Sequence, residues 1–490
     1  YTIRLKKGVF FADDPCFKKT NGKGRELTAH DFIYSMKRLL TSPKTKNHFI
    51  SNVLTDIVVG MDEFRTNPKT ENIEGMRAID NYTIQFKLKK PSAFFPTILV
   101  RPNAFVVARE AVEYYGKDFQ RHPVGSGAFM IKEWNKEAIV FVRNPNYRHG
   151  TYPTEGAPED KKNGLLDDAG KPLPFLNGIK RYILVEEQPR WINFKQGMLD
   201  IVDLDKDSYY DAFPTGGELS AELKNKGVKV VKLQRLETTY YVFNVENKTV
   251  SNKYLRQAIS VAYDGKKHNA LFFNNQAFVA NWILPPGIFG FDPAYKNPYR
   301  QYDIEKAKKL LAKAGYPNGK GLAPIRLLIT DSIAAKQIGE FFVKSMNDIG
   351  VKVELVPMDF SELLDEVETS RKFDVAALQW RADLPVPEDF LRMFHSKAFT
   401  PGPNDSHFKN AEYDQLFDRI SQMSPGPEKI KLLKKIRDIA VEECAVIPLV
   451  NPVTVKLVQP YVENYKPQVI VGDVYKYVKI NARKKKSFVP

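Results

Sequence analysis

PIRLLITDSIAAKQIGEFFVKSMNDIGVKVELVP, residues 324–357, decides the fold. PIRLLIT is a short apolar run rich in branched side chains, the pattern of a buried strand. The next segment carries Ile338, Phe341, Phe342, Met346 and Ile349 at helical spacing and stops at Gly350. VKVELVP (351–357) then reads as a second strand. Upstream, DIEKAKKLLAKAG (303–315) has a capping Asp303, an apolar face of Ile304, Ala307, Leu310, Leu311 and Ala314, and Gly315 as its stop. Downstream, Asp359 and Glu362 predict a capping box, and KFDVAALQW (372–380) a third strand. Strand and helix in alternation predict an α/β chain with a parallel sheet and right-handed crossovers.

Ligands of open parallel sheets bind beyond the carboxyl ends of the strands. LQWRADLPVPEDF (378–390) places Trp380, Arg381 and Asp383 at such an end. Residue types alone allow two arrangements. Arg381 and Asp383, two apart on an extended segment, can share a face and pair with each other. Alternatively, Asp383 turns to a ligand and makes a charge-assisted hydrogen bond to an ammonium group as water leaves, with Trp380 as a flat apolar wall.

Around this segment lie 490 residues, enough for about two to four domains. From Tyr1 to about Pro123 the pattern is mixed: TIRLKKGVFF reads as a strand already in progress, LTAHDFIYSMKRLL (27–40) as a helix capped by Thr28, and NYTIQFKLKKP (81–91) as a strand. PVGSGAFMIKEW (123–134) and EAIVFVRNPNY (137–147) predict two strands joined by a short turn. Residues 150–174 read as a long surface insertion.

Composition is that of an ordinary globular chain, 43% apolar, and no stretch approaches the roughly 18 apolar residues of a membrane span. Lys and Arg outnumber Asp and Glu 74 to 58, but they are dispersed, and no basic helix is interleaved with aromatics, which argues against nucleic acid as a partner. RKKK at 483–486 is expected to be a solvated tail. Two cysteines, Cys16 and Cys444, are too few for a disulfide scaffold, and Cys444 is expected buried on a helix face.

Catalytic patterns are weak. The seven histidines (His30, His48, His122, His149, His268, His395, His407) show no metal-binding spacing. GYPNGKG (315–321) has the wrong spacing for a phosphate loop and reads as a helix-ending turn. VGSGA (124–128) lacks the frame of a nucleophile elbow, and the carboxylate pairs Asp13–Asp14, Asp167–Asp168 and Glu186–Glu187 are ordinary surface features. No catalytic residue, metal site or cofactor is expected.

Several stretches, in order, resemble the family-5 extracellular solute-binding proteins, which include oligopeptide- and dipeptide-binding proteins of ABC importers. They are IRLKKGVFF with LTAHDFIYSMKRL, PVGSGAFMIKEW with VFVRNPNY, YYVFNVENKTVSNKYLRQAISVAYD (240–264), ILPPGIFGFDP (283–293) with YDIEKAKKLLAKAGYPNG (302–319), and VAALQWRADLPVPEDFL (375–391) with NAEYDQLFDRI (410–420). GSGAF departs from the commoner GTGPY-like form, although Gly125 and Gly127 hold its turn positions, and the 150–174 insertion is outside the usual pattern.

The resemblance implies a two-lobed periplasmic-binding-protein clamshell of type II, large cluster, with an extra subdomain at 1–123, a lobe I core at 124–246, lobe II at 247–448 and a return to lobe I at 449–490. It also implies that the opening strands of lobe I precede Tyr1. The lobes would be joined near Phe243–Asn247 and Ile447–Asn451, with Asn244, Asn247 and Pro448 as hinge residues and an interlobe cleft that closes on a short peptide. By the same resemblance Asp383 meets the peptide ammonium; Trp380 is expected to lie against the ligand, Phe243 and Asn244 are further candidate ligand-binding residues, and Arg381 is a candidate as a helper at the site or else a surface residue. Some oligopeptide binders have an Arg three positions before this Trp for the ligand carboxylate; here that position is Ala377, which leaves peptide length open. The implied partners are an ABC permease and its ATPase, in the periplasm or cell envelope, with a lipid anchor outside these residues as one option. A non-peptide solute (a metal chelate, haem or a sugar) and a structural accessory subunit are the alternatives.

Overall fold

Strand Glu237–Phe243 is buried at six of its seven residues, because neighbours pair with it on both edges and side chains cover both faces. The computed structural model describes residues 1–42, 49–70, 72–92, 95–147, 150–184, 186–400, 402–470 and 474–488; His48 and His149 lie outside them. By packing, the chain divides into Tyr1–Val231 with Lys456–Pro490, and Lys232–Val455.

The second unit is built on a six-stranded sheet in the order Phe278–Val279, Val446–Asn451, Glu237–Phe243, Val375–Arg381, Ile325–Thr330, Val353–Met358. The predicted parallel part is present. Ile325–Thr330 pairs with Val353–Met358 from Ile325↔Val353 to Thr330↔Met358, and with Val375–Arg381 at Leu327↔Val375. Glu237–Phe243 adds antiparallel to Val375–Arg381 and to Val446–Asn451. Helix Ile333–Asn347 buries Phe342 and Met346 against the sheet, and the Tyr241 and Phe342 rings meet edge-on at 4.7 Å. Asp303 caps its helix by accepting from the Lys306 N–H at 2.9 Å, as expected. Asp359 stands at a helix N-cap, but its side chain makes no capping hydrogen bond, so the predicted capping box is not formed.

GYPNGKG is a turn with a packing role. A Cβ on Gly319 would lie 1.9 Å from the Gly350 carbonyl oxygen, and both glycines have positive φ, +75° and +80°. The helix stop at Gly350 and this turn therefore require each other.

In the first unit, Thr28 caps helix Ala29–Thr41, its backbone N–H donating to Asp31 Oδ2 at 2.8 Å. Phe129–Trp134 and Ala138–Arg143 form the predicted antiparallel pair, and Gly178–Tyr182 extends it. Neither Gly125 nor Gly127 has a left-handed φ, and a Cβ on either would meet open space or ordinary contact, so the turn does not need glycine there. The 150–174 insertion is held at defined points. Asp160 pairs with Lys466 at 2.7 Å, Asp168 with Lys479 at 3.0 Å and Asn464 at 2.9 Å, and Tyr152 is buried against Phe175 and Tyr477. The RKKK run is not a loose tail: it lies in helix Ala482–Phe488, where Lys485 pairs with Asp200 at 2.9 Å.

Both cysteines are buried thiols. Cys444 sits past the end of helix Pro427–Glu443 in a left-handed cap and not on its face. Burial pushes its thiol up to about 11, and that of Cys16 up to about 12, which leaves both unreactive.

The divisions between the units fall within strands Lys229–Gln234 and Val453–Val458. Phe243–Asn247 and Ile447–Asn451, with Asn244, Asn247 and Pro448, lie within the second unit. Both places carry apolar, strand-like segments in the sequence, and strands Glu237–Phe243 and Val446–Asn451 are buried neighbours within the six-stranded sheet.

Candidate ligand-binding site

Strand Val375–Arg381 ends in Trp380 and Arg381, opposite Thr238 and Glu237. The Ala382 N–H donates to the Leu236 carbonyl at 2.7 Å, and the chain then turns into the loop carrying Asp383 and the short helix Pro387–Leu391. The face-sharing rule for residues two apart stops at the strand end, so Arg381 and Asp383 part company. Arg381 Nε donates to Glu237 Oε2 at 3.0 Å, and Arg235 approaches the same oxygen at 3.4 Å. Glu237 is 1% exposed, so the two guanidinium groups supply its countercharge.

Trp380 and Asp383 converge on a residue the sequence reading passed over. Asp389, 2% exposed in the first turn of Pro387–Leu391, accepts from the Asp383 N–H at 2.8 Å and from Trp380 Nε1 at 3.4 Å, both on Oδ2. Burial, and then the charge of Asp383, pushes the Asp389 carboxyl up to about 7. Next to it, Glu388 pairs with the buried Lys429 at 2.5 Å, tying this helix to Pro427–Glu443. Asp389 stands in the quoted stretch LPVPEDF, and an acid in the first turn of a helix after Pro387 was its only sequence signal. Glu237 could not be found that way, because its role depends on a partner 144 positions distant.

Phe243 and Asn244 are not part of this cluster. Phe243 is fully buried and pairs with Val375, at the other end of the strand pair from Trp380, about 17 Å away at the usual rise per residue. Asn244 exchanges hydrogen bonds with Arg371 at 3.0 and 2.8 Å, and Asn247 donates to the Phe373 carbonyl at 3.3 Å. These contacts tie both residues to the Arg371–Phe373 segment. Pro448 lies opposite Tyr240 within the sheet.

A separate cavity of about 190 Å³ in the same unit is walled by Phe278, Trp282, Phe291 and Tyr295, with Arg437 stacked 3.6 Å from the centre of the Tyr295 ring. His268 is buried, bonded through Nδ1 to the Tyr263 hydroxyl at 2.7 Å, and held neutral at about 3 by burial and by Arg300. Among the described residues, no three His, Cys, Asp or Glu side chains are grouped to hold a metal ion, and no helix is long and apolar enough to cross a membrane.

A family model described as bacterial extracellular solute-binding proteins, family 5, matches residues 1–401. The chain belongs to that family. It has the family's α/β, two-lobed type II fold, and the family is one of solute-binding receptors. Over 483 residues it is 26% identical to the periplasmic oligopeptide-binding protein OppA of Salmonella typhimurium, covering 97% of this chain and 80% of the relative. Heme-binding protein A of Haemophilus influenzae is 24% identical over 493 residues, covering 99% and 82%. Among solved structures, the periplasmic binding protein DppA from Helicobacter pylori in complex with the peptide STSA superposes with a TM-score of 0.77 at 22% identity, over 98% of this chain and 86% of that one.

Proposed function

We propose that this family 5 protein is the peptide-capturing receptor of an ABC importer, acting in the periplasm or cell envelope and delivering short peptides to a permease powered by its ATPase. The observation that carries this reading is the placement of Trp380 and Asp383 together at the carboxyl end of a strand in the parallel part of the sheet. Asp383 anchors the peptide ammonium and Trp380 lies along its backbone. Arg381, committed to Glu237, fixes the strand end electrostatically and does not contact the ligand. An extended peptide brings its own unpaired N–H and C=O groups, so main-chain pairing provides affinity that is indifferent to sequence. Separating an ammonium from a desolvated carboxylate typically costs about 3–5 kcal/mol, enough to make a free amino terminus decisive. No bond is made or broken in this role, and the energy of transport comes from the ATPase. The oligopeptide-binding relative and the peptide-bound neighbour support the reading.

A second reading, a non-peptide solute such as haem, is favoured by the haem-binding relative, which matches over a similar length at similar identity. Native mass spectrometry of the purified protein, followed by denaturing release, separates the two. A heterogeneous set of short peptides is the expected result; one non-peptide compound would overturn the proposal.

A further inference from the structure

We propose that Asp389 is the positioning residue of this site: its buried carboxylate holds the Trp380 ring and the Asp383 main chain in one arrangement, so that wall and anchor are set together. The inference rests on the reading of Asp383 as the ammonium anchor. Three separate pieces of chain meet at one oxygen. Trp380 comes from the end of the strand, Asp383 from the loop after it, and Asp389 from the helix that follows. Trp380 donates through Nε1 and Asp383 through its backbone N–H.

The arrangement is costly as a purely structural device. Asp389 is 2% exposed, and its Oδ1 is buried without a hydrogen-bond partner among the described residues. A buried carboxyl with one oxygen unmatched is worth less to stability than an apolar residue of similar size. Such costs concentrate where a fold serves a site. The electrostatics agree with the geometry: burial, and then the charge of Asp383, pushes the Asp389 carboxyl up to about 7.

The test uses the intact protein and short synthetic peptides of random sequence, with free or N-acetylated amino termini. The Trp380 indole N–H resonance, assigned with Trp380→Phe, reports on the Asp389 contact directly. Asp389→Leu is expected to move that resonance and to weaken binding of free-amino peptides about tenfold, with a smaller effect on acetylated ones. Asp389→Asn, whose amide oxygen can still accept both bonds, is expected to keep the resonance close to its original position and binding within about threefold. Asp389→Ser carries the same expectations as the Leu variant and serves where that variant does not fold. An unmoved indole resonance, or unchanged affinity for free-amino peptides, in a folded Asp389→Leu or Asp389→Ser protein would overturn the proposal. Asp383→Asn is measured beside them. If it treats both peptide sets alike, the anchor reading fails, and the indole resonance alone then decides whether Asp389 positions Trp380.

Discussion

Arg381 and Glu237 meet across adjacent antiparallel strands at 3.0 Å, on a carboxylate that is 1% exposed. The guanidinium beside Trp380 is therefore paired within the protein's own sheet. Replacing Arg381 with Glu puts a second negative charge on a buried one and is expected to cost about 3 kcal/mol in denaturant unfolding. Arg381→Lys retains a cation and is expected to cost under about 1 kcal/mol. Equal stability of the two variants would contradict the pairing.

Gly319 and Gly350 approach so closely that neither tolerates a side chain. Gly319→Ala forces a Cβ to 1.9 Å from the Gly350 carbonyl at a φ of +75°, and is expected to lose about 2 kcal/mol or more in the same assay. Gly426→Ala is the control, with extended φ of 172° and open space around the new methyl, and is expected to stay within about 0.5 kcal/mol of the parent.

The Asp168 carboxyl ties the 150–174 insertion to the returning C-terminal chain. Burial works against its ionisation, but bonds from Lys171, Asn464 and Lys479 outweigh that and hold it at about 2. A carboxyl held below its unfolded value stabilises above that value and loses the contribution as pH falls toward 2. Asp168→Asn is expected to remove that part of the acid sensitivity, to cost about 1–2 kcal/mol at neutral pH, and to speed limited proteolysis within 150–174.

Asp405 has the opposite sign. Burial, and then the charge of Glu368, pushes its carboxyl up to about 8 despite the nearby Arg371. A folded acid that keeps its proton is favoured at low pH, so its contribution to stability falls steadily as pH rises from about 4 to about 8. Asp405→Asn is expected to flatten the melting temperature over that interval and leave the region below pH 4 unchanged.

The parallel core was legible because each piece announces itself locally. Apolar runs of strand length, a helix stripe at Phe342 and Met346 and stops at Gly315 and Gly350 require no knowledge of distant chain. What was not legible depends on pairing across long separations. The apolar runs YYVFN (240–244) and AVIPLV (445–450) look the same in sequence whether they lie at lobe crossings or in the middle of a sheet; their partners, Val375–Arg381 and each other, make them central strands. The same limit hid Glu237 from Arg381 and the anchors Lys466 and Lys479 from the 150–174 insertion. At the site, Trp380 and Asp383 stood out by chemistry, whereas Asp389 gained meaning only when the loop folded both onto it.

Isothermal titration of Asp383→Asn against the parent protein, with short peptides carrying free or N-acetylated amino termini, tests the central claim most directly. The parent is expected to prefer free-amino peptides, and the variant to lose at least about tenfold in affinity for them while binding acetylated peptides much as before. An equal effect on both sets, or none on either, would contradict the assignment of Asp383 as the ammonium anchor.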